Sequence, residues 1–452
     1  MHRCTSPLDL YSAPTSGFDA RMQRPNFLVA FVLGTIFGGC ALGAATAVAR
    51  PERDPLVFVE ELAHVLVRVE NGYVDPVDRA KLLEGSIKGM VAELDPHSGY
   101  LPADELRRVL EETEGQFGGV GVEVETRGDA IIVIAPIEGA PAERAGIRSG
   151  DRIVGVNGER IEGSSYESLV KHMRGLPGTK VVLTVVREGA KDVLHFELTR
   201  AVVSVSSVEW AELDEGVGYL RVKQFQDLTA AEFARAVVSL RKSGKVKTFL
   251  LDLRYNPGGL VDAAAAVADE MLDSGTIYST RHRGMIESEV HANTGGGLTK
   301  EPLIVLVNEW SASAAELLAG ALQDNGRAKV YGANTFGKGS VQTILELPGG
   351  AGLKLTTARY FTPSGRAIQA AGVTPDVAIA TKTPWPLIKE RDLEGYLPAV
   401  PGERAVVSAA IEPTAIGDAS VPRVLRAKEL PRDPRKGEDE TLRAAFEALV
   451  KK

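Results

Sequence analysis

The residues best suited to chemistry in this sequence are a serine and a lysine that lie in two separate segments. Ser313 follows a predicted buried strand, Leu303 to Val307, and opens a predicted helix. A hydroxyl at that place can point into a cleft, and the unpaired N–H groups of the first helical turn can stabilise a developing oxyanion. The same residues also fit a structural interpretation, because Ser313 followed by Glu316 is the pattern of a capping box. Taken alone, the residue types favour the cap over catalysis.

A serine nucleophile needs a base, and Lys338 is the lysine whose surroundings could supply one. A lysine acts as a base only where burial lowers the pKa of its amine enough for the neutral form to exist. Lys338 lies between Gly337 and Gly339 in an uncharged stretch, so its backbone can approach other elements closely. Gln342 falls on the same side of the following predicted strand, and its amide could hold the amine in place. The alternative is a surface lysine in a glycine turn.

A glycine turn is the third segment that could take part. A predicted buried strand that ends at Leu253 leads into Pro257, Gly258 and Gly259 before an alanine-rich helix. Two successive glycine N–H groups without side-chain bulk can form a nest for an anion. An ordinary strand-to-helix connection has the same residues, and by itself that simpler interpretation is preferred.

Other kinds of catalytic site find less support in the sequence. It contains no His-Glu-x-x-His and no Gly-x-Ser-x-Gly pattern. The only cysteines are Cys4 and Cys40, which excludes a disulfide scaffold, a thiolate zinc site and cysteine catalysis beyond residue 40. His97 follows Asp95-Pro96, a turn signal, and is expected to order that turn. A Ser-His-Asp triad assembled in space is nevertheless not excluded by spacing.

Binding of phosphate or nucleic acid is also disfavoured. Residues 332–338 fit G-x-x-x-x-G-K, but Gly339 stands where a hydroxyl residue is needed, and residues 340–345 have the pattern of a strand instead of a helix. The chain has 52 Lys+Arg and 60 Asp+Glu, for a formal net charge of −8. Nucleic-acid binding needs a basic face, so we expect no nucleic-acid partner.

Hydrophobic patterning places these segments in a chain of several domains. Apolar residues at spacings of three and four predict helices between residues 55 and 114. Apolar runs with glycine turns predict strands from about residue 115 to 200, and alternating strands and helices predict an α/β region from about 202 to 380. Residues 282–297 have the composition of a polar, glycine-rich surface loop, and the chain ends in a helix with one apolar face.

The start of the chain has the pattern of a targeting segment. Residues 27–49 carry no charged side chain, follow Arg21 and Arg24, and end in a small-x-small pattern. This is typical of a secretory signal; the length also allows an uncleaved membrane anchor, and Cys40 is a third alternative as a lipidation site. Met22 is an alternative start. All three interpretations predict a bacterial cell-envelope location, either periplasmic or anchored to the outer side of the cytoplasmic membrane.

Taken together, these segments resemble the carboxyl-terminal processing peptidases, the tail-specific serine proteases with a Ser-Lys dyad. The resemblance covers residues 56 to 380 and a tail helix. Its motifs are Leu94 to Ser98, Gly115 to Val122, Leu251 to Gly259, Ser311 to Ala314, Ala321 to Asp324, Gly337 to Thr343 and Tyr360 to Arg366. It implies an α/β and α+β multidomain fold with a leader at 1–50, an N-terminal helical arm at 51–114, a β-rich PDZ domain at 115–201, an α/β (crotonase-like or ClpP-like) protease core at 202–380, and a C-terminal helical tail at 381–452.

The resemblance also implies a role for each candidate residue. Ser313 would be the nucleophile, Lys338 the general base, and Gln342 would orient the lysine. Backbone N–H groups would form the oxyanion hole, and the residues that could supply them are Gly258, Gly259 and Ala314. Asp324 matches a position that supports the family's site.

The strand-rich region would act as a PDZ domain that binds the end of a substrate chain. Backbone N–H groups of one loop would hold the terminal carboxylate without any charged pocket, and the peptide would add as a strand to the sheet edge. The residues of this loop are Phe117, Gly118, Gly119, Val120, Gly121 and Val122. The expected partners are therefore proteins or peptides with free, apolar C-termini.

The function implied is that of a secreted or membrane-tethered serine endopeptidase that recognises substrate C-termini and cleaves near them, with no metal or cofactor. The alternative is a PDZ-based peptide-binding adaptor with an inactive protease domain. Apolar stripes near both ends predict a homodimer or larger homo-oligomer, and a tether would lie at residues 27–49. Two residues depart from the family pattern, Trp310 in place of Gly and Ala315 in place of Ser, and Trp310 is expected to reshape the cleft.

Overall fold

The structure is a computed structural model that describes residues 55–127, 130–160, 166–379, 387–399 and 425–451. The signal, anchor and lipidation alternatives predicted for the leader fall outside these ranges. Within them, no helix is both long enough and apolar enough to cross a membrane. The chain divides into two compact units, Met1–Leu83 and Glu84–Lys452.

The described residues form nine α-helices and nineteen β-strands. The helices are α1 (Pro55–Gly72), α2 (Arg79–Ala92), α3 (Ala103–Glu114), α4 (Pro141–Arg144), α5 (Tyr166–Met173), α6 (Thr229–Arg241), α7 (Val261–Asp269), α8 (Ala314–Asp324) and α9 (Glu440–Val450). The strands are β1 (Gly99–Leu101), β2 (Gln116–Gly119), β3 (Val122–Arg127), β4 (Ala130–Pro136), β5 (Arg152–Val156), β6 (Glu159–Arg160), β7 (Lys180–Val186), β8 (Leu194–Thr199), β9 (Ala201–Ser204), β10 (Val208–Glu212), β11 (Val217–Val222), β12 (Thr248–Asp252), β13 (Thr276–His282), β14 (Met285–His291), β15 (Leu303–Val307), β16 (Lys329–Gly332), β17 (Ser340–Glu346), β18 (Gly352–Phe361) and β19 (Val377–Ala378).

The part of the first unit that the structure describes contains α1 and the start of α2. The predicted apolar stripe lies on one face of α1 and is exposed among the described residues, with Leu56 71%, Val59 63% and Val65 54% accessible. An ion pair between Arg79 and Glu70 joins the two helices across the Asp75-Pro76 break. The stripe is thus an exposed apolar face of α1.

The strand-rich region begins with β2 and ends with β9, which pair with each other antiparallel. Between them a sheet runs in the order β3-β4-β5-β7-β8, with β6 on β5. Its apolar side chains, such as Val133, Leu183 and Val185, are buried in a core of their own. β3 lies at one end of this order, so one edge of β3 is unpaired within the sheet.

A six-stranded sheet forms the centre of the α/β region, in the order β10-β11-β12-β15-β16-β19. β10 runs antiparallel to β11, and the other neighbours are parallel. β12 and β15 are buried apolar runs, which is typical of central parallel strands covered on both faces. Because parallel neighbours end at the same sheet edge, the segments after β12 and β15 emerge side by side.

A second sheet, β1-β18-β13-β14 with β17 on β18, differs from the sequence prediction. Residues 282–297 were expected to form a surface loop, but β14 makes a hairpin with β13 over most of that stretch. Six of the seven β14 residues are exposed, so its sequence has no alternation of apolar and polar residues that would predict a strand. Hydrogen bonds to β13 stabilise the strand instead.

The C-terminal helix α9 covers one face of the six-stranded sheet. Leu442, Phe446 and Leu449 on its apolar face pack against the strands. Asp439 caps the helix by accepting from the N–H of Leu442, and it also pairs with the buried Arg254 at 2.8 Å. The tail is therefore tied to the segment that follows β12.

Candidate active site

The segments after β12 and β15 are joined by buried polar side chains. Asn308, 1% exposed, accepts the N–H of Tyr255 on its side-chain oxygen at 2.9 Å. The N–H of Ala312 donates to the carbonyl of Asn256 at 2.9 Å. Ser311 donates its hydroxyl to a backbone carbonyl of the first segment at 2.9 Å. The glycine turn and the serine loop therefore form one rigid body at the carboxyl edge of the sheet.

Ser313 stands at the N-terminus of α8 in a strained conformation, with φ 55° and ψ −119°. Such backbone strain is concentrated at functional sites in proteins. The capping interpretation is realised through Glu316, whose carboxylate accepts the Ser313 N–H at 2.8 Å.

Glu316 also connects the serine to the lysine loop. Its carboxylate is fully buried and accepts from Thr335 Oγ1 at 2.5 Å, Gly337 N at 2.7 Å and Lys338 N at 2.9 Å, besides Ser313. The same oxygen, Oε2, binds the N–H groups of Ser313 and Lys338 at 2.8 and 2.9 Å, which holds those two nitrogens less than about 6 Å apart. Burial raises the pKa of Glu316 to about 7 against the four hydrogen bonds that oppose the shift. Sequence patterns indicated only a cap for this residue.

The Lys338 amine has the electrostatic surroundings that a base requires. Burial, and then the nearby Lys354, lower the pKa of Lys338 to about 8, while Glu390, Glu316 and Asp95 act in the opposite direction. Among the described residues the amine makes no hydrogen bond. Hydrogen bonds between a catalytic pair often tighten only when substrate binds. The lack of a hydrogen bond between the Lys338 amine and Ser313 in this structure therefore does not argue against a dyad.

Tyr360 on β18 is a residue of the site to which sequence reasoning gave no role. Its phenol donates to the carbonyl of Lys338 and makes a side-chain hydrogen bond with Ser313. Burial raises the pKa of Tyr360 well above its usual range, so the phenol stays neutral. It lies in one of the matching motifs, but nothing in its local spacing indicates contact with two residues so far away in the chain.

Gln342 was expected to hold the lysine amine, and its observed bonds are different. Its amide nitrogen donates to Ser340 Oγ at 3.0 Å and to Thr356 Oγ1 at 3.3 Å. No bond joins it to Lys338 within the described chain. An orienting role for Gln342 stays a prediction.

The glycine turn lies directly against the nucleophile. A Cβ on Gly258 would come within 2.7 Å of the Ser313 Cβ, so only glycine fits there. The N–H of Gly258 is already donated to the Asn256 side chain at 2.8 Å. The N–H groups of Gly259 and Ala314 have no partner among the described residues, which makes these two the better donors for an oxyanion.

Asp324 lies too far along α8 to touch the reacting atoms. A helix rises about 1.5 Å per residue, which places it roughly 16 Å from Ser313. It accepts the N–H of Ser364 at 3.0 Å and its hydroxyl at 2.6 Å, and it pairs with Arg366. This geometry favours support of the turn after β18, the strand that carries Tyr360.

A groove runs between β3 and α5 in the strand-rich region, with the predicted loop at one end. Its lining residues are Phe117, Gly119, Val120, Gly121, Val122, Val124, Val170, Met173 and Arg174. Gly118 is not one of the lining residues, and a Cβ there would be 2.2 Å from the Gly175 carbonyl oxygen. The expectation of an uncharged pocket is corrected, because the Arg174 guanidinium lies 4.7 Å above the Phe117 ring.

Comparison with known proteins gives three matches along the chain. Residues 216–379 match peptidase family S41, residues 132–187 match the PDZ domain, and residues 51–105 match the activating protease CtpB N-terminal domain.

Individual relatives extend over most of the chain. A carboxy-terminal-processing protease of Bartonella bacilliformis is 38% identical over 362 residues, covering 79% of this chain and 83% of the relative. A probable CtpA-like serine protease of Staphylococcus aureus is 40% identical over 329 residues, covering 72% of this chain and 65% of the relative. Among solved structures, a photosystem II D1 C-terminal processing protease is 33% identical, with 70% of this chain and 86% of that chain covered and a TM-score of 0.43.

Proposed function

Because the chain belongs to the carboxy-terminal-processing proteases, which are serine peptidases of family S41, we propose that Ser313 and Lys338 form its catalytic dyad. The observation that carries the proposal is the shared oxygen of Glu316, which binds the backbone N–H groups of both residues. A pKa of about 8 for Lys338 leaves part of the amine neutral near pH 7, as a general base requires.

In the proposed mechanism the neutral Lys338 amine takes the proton of the Ser313 hydroxyl as its oxygen attacks the scissile carbonyl. The N–H groups of Gly259 and Ala314 stabilise the oxyanion. The lysine then gives its proton to the leaving amine, and an acyl-enzyme remains on Ser313. Water, deprotonated by the same lysine, releases the acyl group and restores the serine. Tyr360 keeps the Lys338 backbone in place by donating to its carbonyl.

Two substitutions test the dyad. Ser313→Ala and Lys338→Ala should each lower kcat for a peptide with an apolar C-terminus by about 1,000-fold or more, since removing either member of such a pair disables the nucleophile. Ser243→Ala and Lys242→Ala change exposed residues of the same core and serve as matched controls. If a dyad variant cleaves at the wild-type rate, the dyad is wrong; if the wild type binds the peptide without cleaving it, the adaptor function is the better description.

The PDZ domain is proposed to select substrates by their C-termini. The unpaired edge of β3 can accept a peptide strand, and the groove offers apolar side chains, including Val124 and Met173, for the last residue. Amidation of the peptide's C-terminus removes the charge that the loop would bind, so KM should rise while kcat is maintained. Equal KM values for the acid and the amide would contradict this mode of recognition.

We further propose that the mature protein acts in the cell envelope as a homodimer or larger homo-oligomer. The exposed apolar face of α1 supports association, because such a face is unfavourable in water without a partner. The pattern of residues 27–49 supports export, with or without a retained tether. Light scattering of the mature protein and fractionation of cells test the two parts separately, and a monomer or a cytoplasmic location would contradict them.

A further inference from the structure

A short stretch beyond the protease core is hydrogen-bonded to the lysine loop and has no part in the proposed mechanism. The lysine loop consists of residues 333–339, between β16 and β17. The stretch, residues 387–399, is here called the strap. It lies outside residues 216–379, which match peptidase family S41, and contains one 3-10 turn, Glu390–Asp392.

The N–H groups of the lysine loop are bonded to the protease core. The N–H of Phe336 donates to the carbonyl of Ser311 at 3.0 Å, two residues before the proposed nucleophile. The next two N–H groups of the loop donate to the buried Glu316 carboxylate. Through its N–H groups, the loop is therefore held to the segment that carries the serine.

The carbonyls of the same loop are bonded to the strap. Lys389 Nζ donates to the Asn334 carbonyl at 2.7 Å and to the Thr335 carbonyl at 3.0 Å. The N–H of Glu390 donates to the Phe336 carbonyl at 3.3 Å. Three consecutive carbonyls of the loop thus accept from the strap. Thr335 is fully buried, and a buried carbonyl without a donor is costly, so these bonds favour one position of the loop.

The strap is itself anchored to other parts of the molecule. The Gln369 amide donates to the buried Glu390 carboxylate at 2.9 Å and to the Leu397 carbonyl at 3.0 Å. Arg359 on β18 donates to the Pro398 carbonyl at 3.2 Å. The strap is therefore a fixed support for the lysine loop.

We propose that Lys389 is a positioning residue that holds the lysine loop against the serine segment and so sets the place of Lys338 relative to Ser313. This inference rests on the proposed function of Lys338 as the base. The Lys389 amine binds carbonyls three and four residues before Lys338, and the intervening Phe336 is bonded to the serine segment. A displacement of the base by about 1 Å can lower a rate about 100-fold.

Substitutions of Lys389 in the whole protein test the proposal on a peptide with an apolar C-terminus. Lys389→Met removes the donors and keeps a long apolar side chain, so kcat should fall roughly 10- to 100-fold while KM is maintained. Lys389→Arg keeps N–H donors and should recover most of that loss. Lys329→Met is the matched control, because it removes an exposed lysine at the start of β16, the strand that leads into the lysine loop, and it should keep the wild-type kcat.

Hydrogen exchange follows the lysine loop independently of cleavage. In Lys389→Met the amides of residues 335–338 should exchange faster than in the wild type, because their bonds to the core open when the loop is loosened. The amides of β12 should keep their wild-type rates, since they report on the whole core. A fall in kcat without faster exchange in the loop would overturn the proposal, as would faster exchange in β12 as well, which would mean general destabilisation.

The kinetic results can also contradict it. A wild-type kcat in Lys389→Met, a loss confined to KM, or an arginine variant as impaired as the methionine variant would each show that Lys389 does not position the base. Should Lys389→Met not fold, Lys389→Gln decides: its shorter side chain cannot reach both carbonyls, so kcat should fall about tenfold at unchanged KM. A wild-type kcat in that variant would overturn the proposal.

Lys338→Ala, measured beside these variants, separates this proposal from that of the dyad. If Lys338→Ala keeps the wild-type kcat, the dyad is wrong, and the positioning role of Lys389 fails with it. If Lys338→Ala is inactive while Lys389→Met cleaves at the wild-type rate, the dyad stands and only the positioning role fails.

Discussion

The protease core and the PDZ domain present their functional groups in opposite ways. In the core, the side chains that hold the site are polar and at most 1% exposed, as with Glu316, Asn256 and Asn308, and each bonds to a backbone group of another segment. In the PDZ domain, the groove consists of backbone and apolar side chains, with Arg174 at its rim. Chemistry here depends on desolvated polar groups with fixed partners, and recognition depends on a strand edge and an apolar surface. Substitutions in the core should therefore lower kcat, and those in the groove should raise KM.

Of the substitutions that test this difference between core and groove, Glu316→Gln has the largest expected effect. The amide can accept fewer of the four donors and adds donors of its own, so buried N–H groups lose their partners and the spacing of Ser313 and Lys338 is lost. We expect kcat to fall by about 100-fold with little change in KM. Steady-state kinetics on a tailed peptide measure both quantities.

A second measurement on the same variant checks the cause. Because burial raises the pKa of Glu316 to about 7 from an ordinary value of 4.5, its contribution to stability is complete below pH 4.5 and is lost as the pH rises through 7. Urea unfolding of Glu316→Gln should lack that part of the pH dependence. A change in KM without a change in kcat would mean that Glu316 contributes to substrate binding and not to catalysis.

The pH dependence of the wild type gives the next largest effect. Only the neutral amine of Lys338 accepts a proton, so kcat/KM should fall about tenfold for each pH unit below the pKa of about 8 and level off above it. Lys354→Met removes the nearby like charge and should move this limb to higher pH. The affinity of Ser313→Ala for the peptide measures binding without cleavage, and it should not change near pH 8. If that affinity changed with pH in the same way as kcat/KM, the pH dependence would come from substrate binding and not from the chemical step.

Val124→Asp tests the recognition side. The substitution places a negative charge in the groove that would bind the apolar last side chain of the peptide, close to the peptide's terminal carboxylate. The new charge disfavours both groups, so KM should rise about tenfold while kcat is maintained. Val193→Asp makes the same change at an exposed position of the same domain and is the matched control. Equal effects of the two variants would indicate general destabilisation of the domain.

Trp310→Ala has the smallest expected effect, and it tests the role of a residue that departs from the family pattern. The indole stacks on Tyr255 with ring centroids 5.2 Å apart and planes 11° from parallel, and Tyr255 has a positive φ of 58°. Loss of the stack should cost about 1 kcal/mol of unfolding free energy. Trp310→Phe keeps an aromatic face and should lose less. A large fall in kcat in the phenylalanine variant would show that the indole contacts substrate.

Local sequence patterns predicted the residues that lie where a strand ends and a turn begins, but not the contacts made between distant segments. Ser313, Lys338 and the glycine turn are recognisable because strand, glycine and helix signals lie beside them in the chain. Tyr360, Glu390 and the linking role of Glu316 depend on side chains brought together by the sheet, and spacing carries no information about them.

The same limit explains two differences of detail. The Gly258 N–H is taken by a side-chain oxygen of Asn256, and the choice of side-chain rotamer that allows this bond is made by the surrounding core. β14 forms on an exposed edge because β13 pairs with it, although its own residues have no strand pattern. Fold class, by contrast, follows from long apolar runs such as β12 and β15, whose burial any packed arrangement must satisfy.

The unpaired edge of β3 also bears on the solubility of the protein. A strand edge that accepts a substrate tail accepts any extended chain, including the edge of another copy, and such pairing is a route to aggregation. Glu123 stands exposed on β3, between Val122 and Val124, and a charged side chain on an edge strand opposes such pairing. Arg426 of the C-terminal segment pairs with Glu123 and places a further group beside that edge. The charged pair thus opposes self-association without narrowing the groove, because Glu123 is not one of the residues that line it.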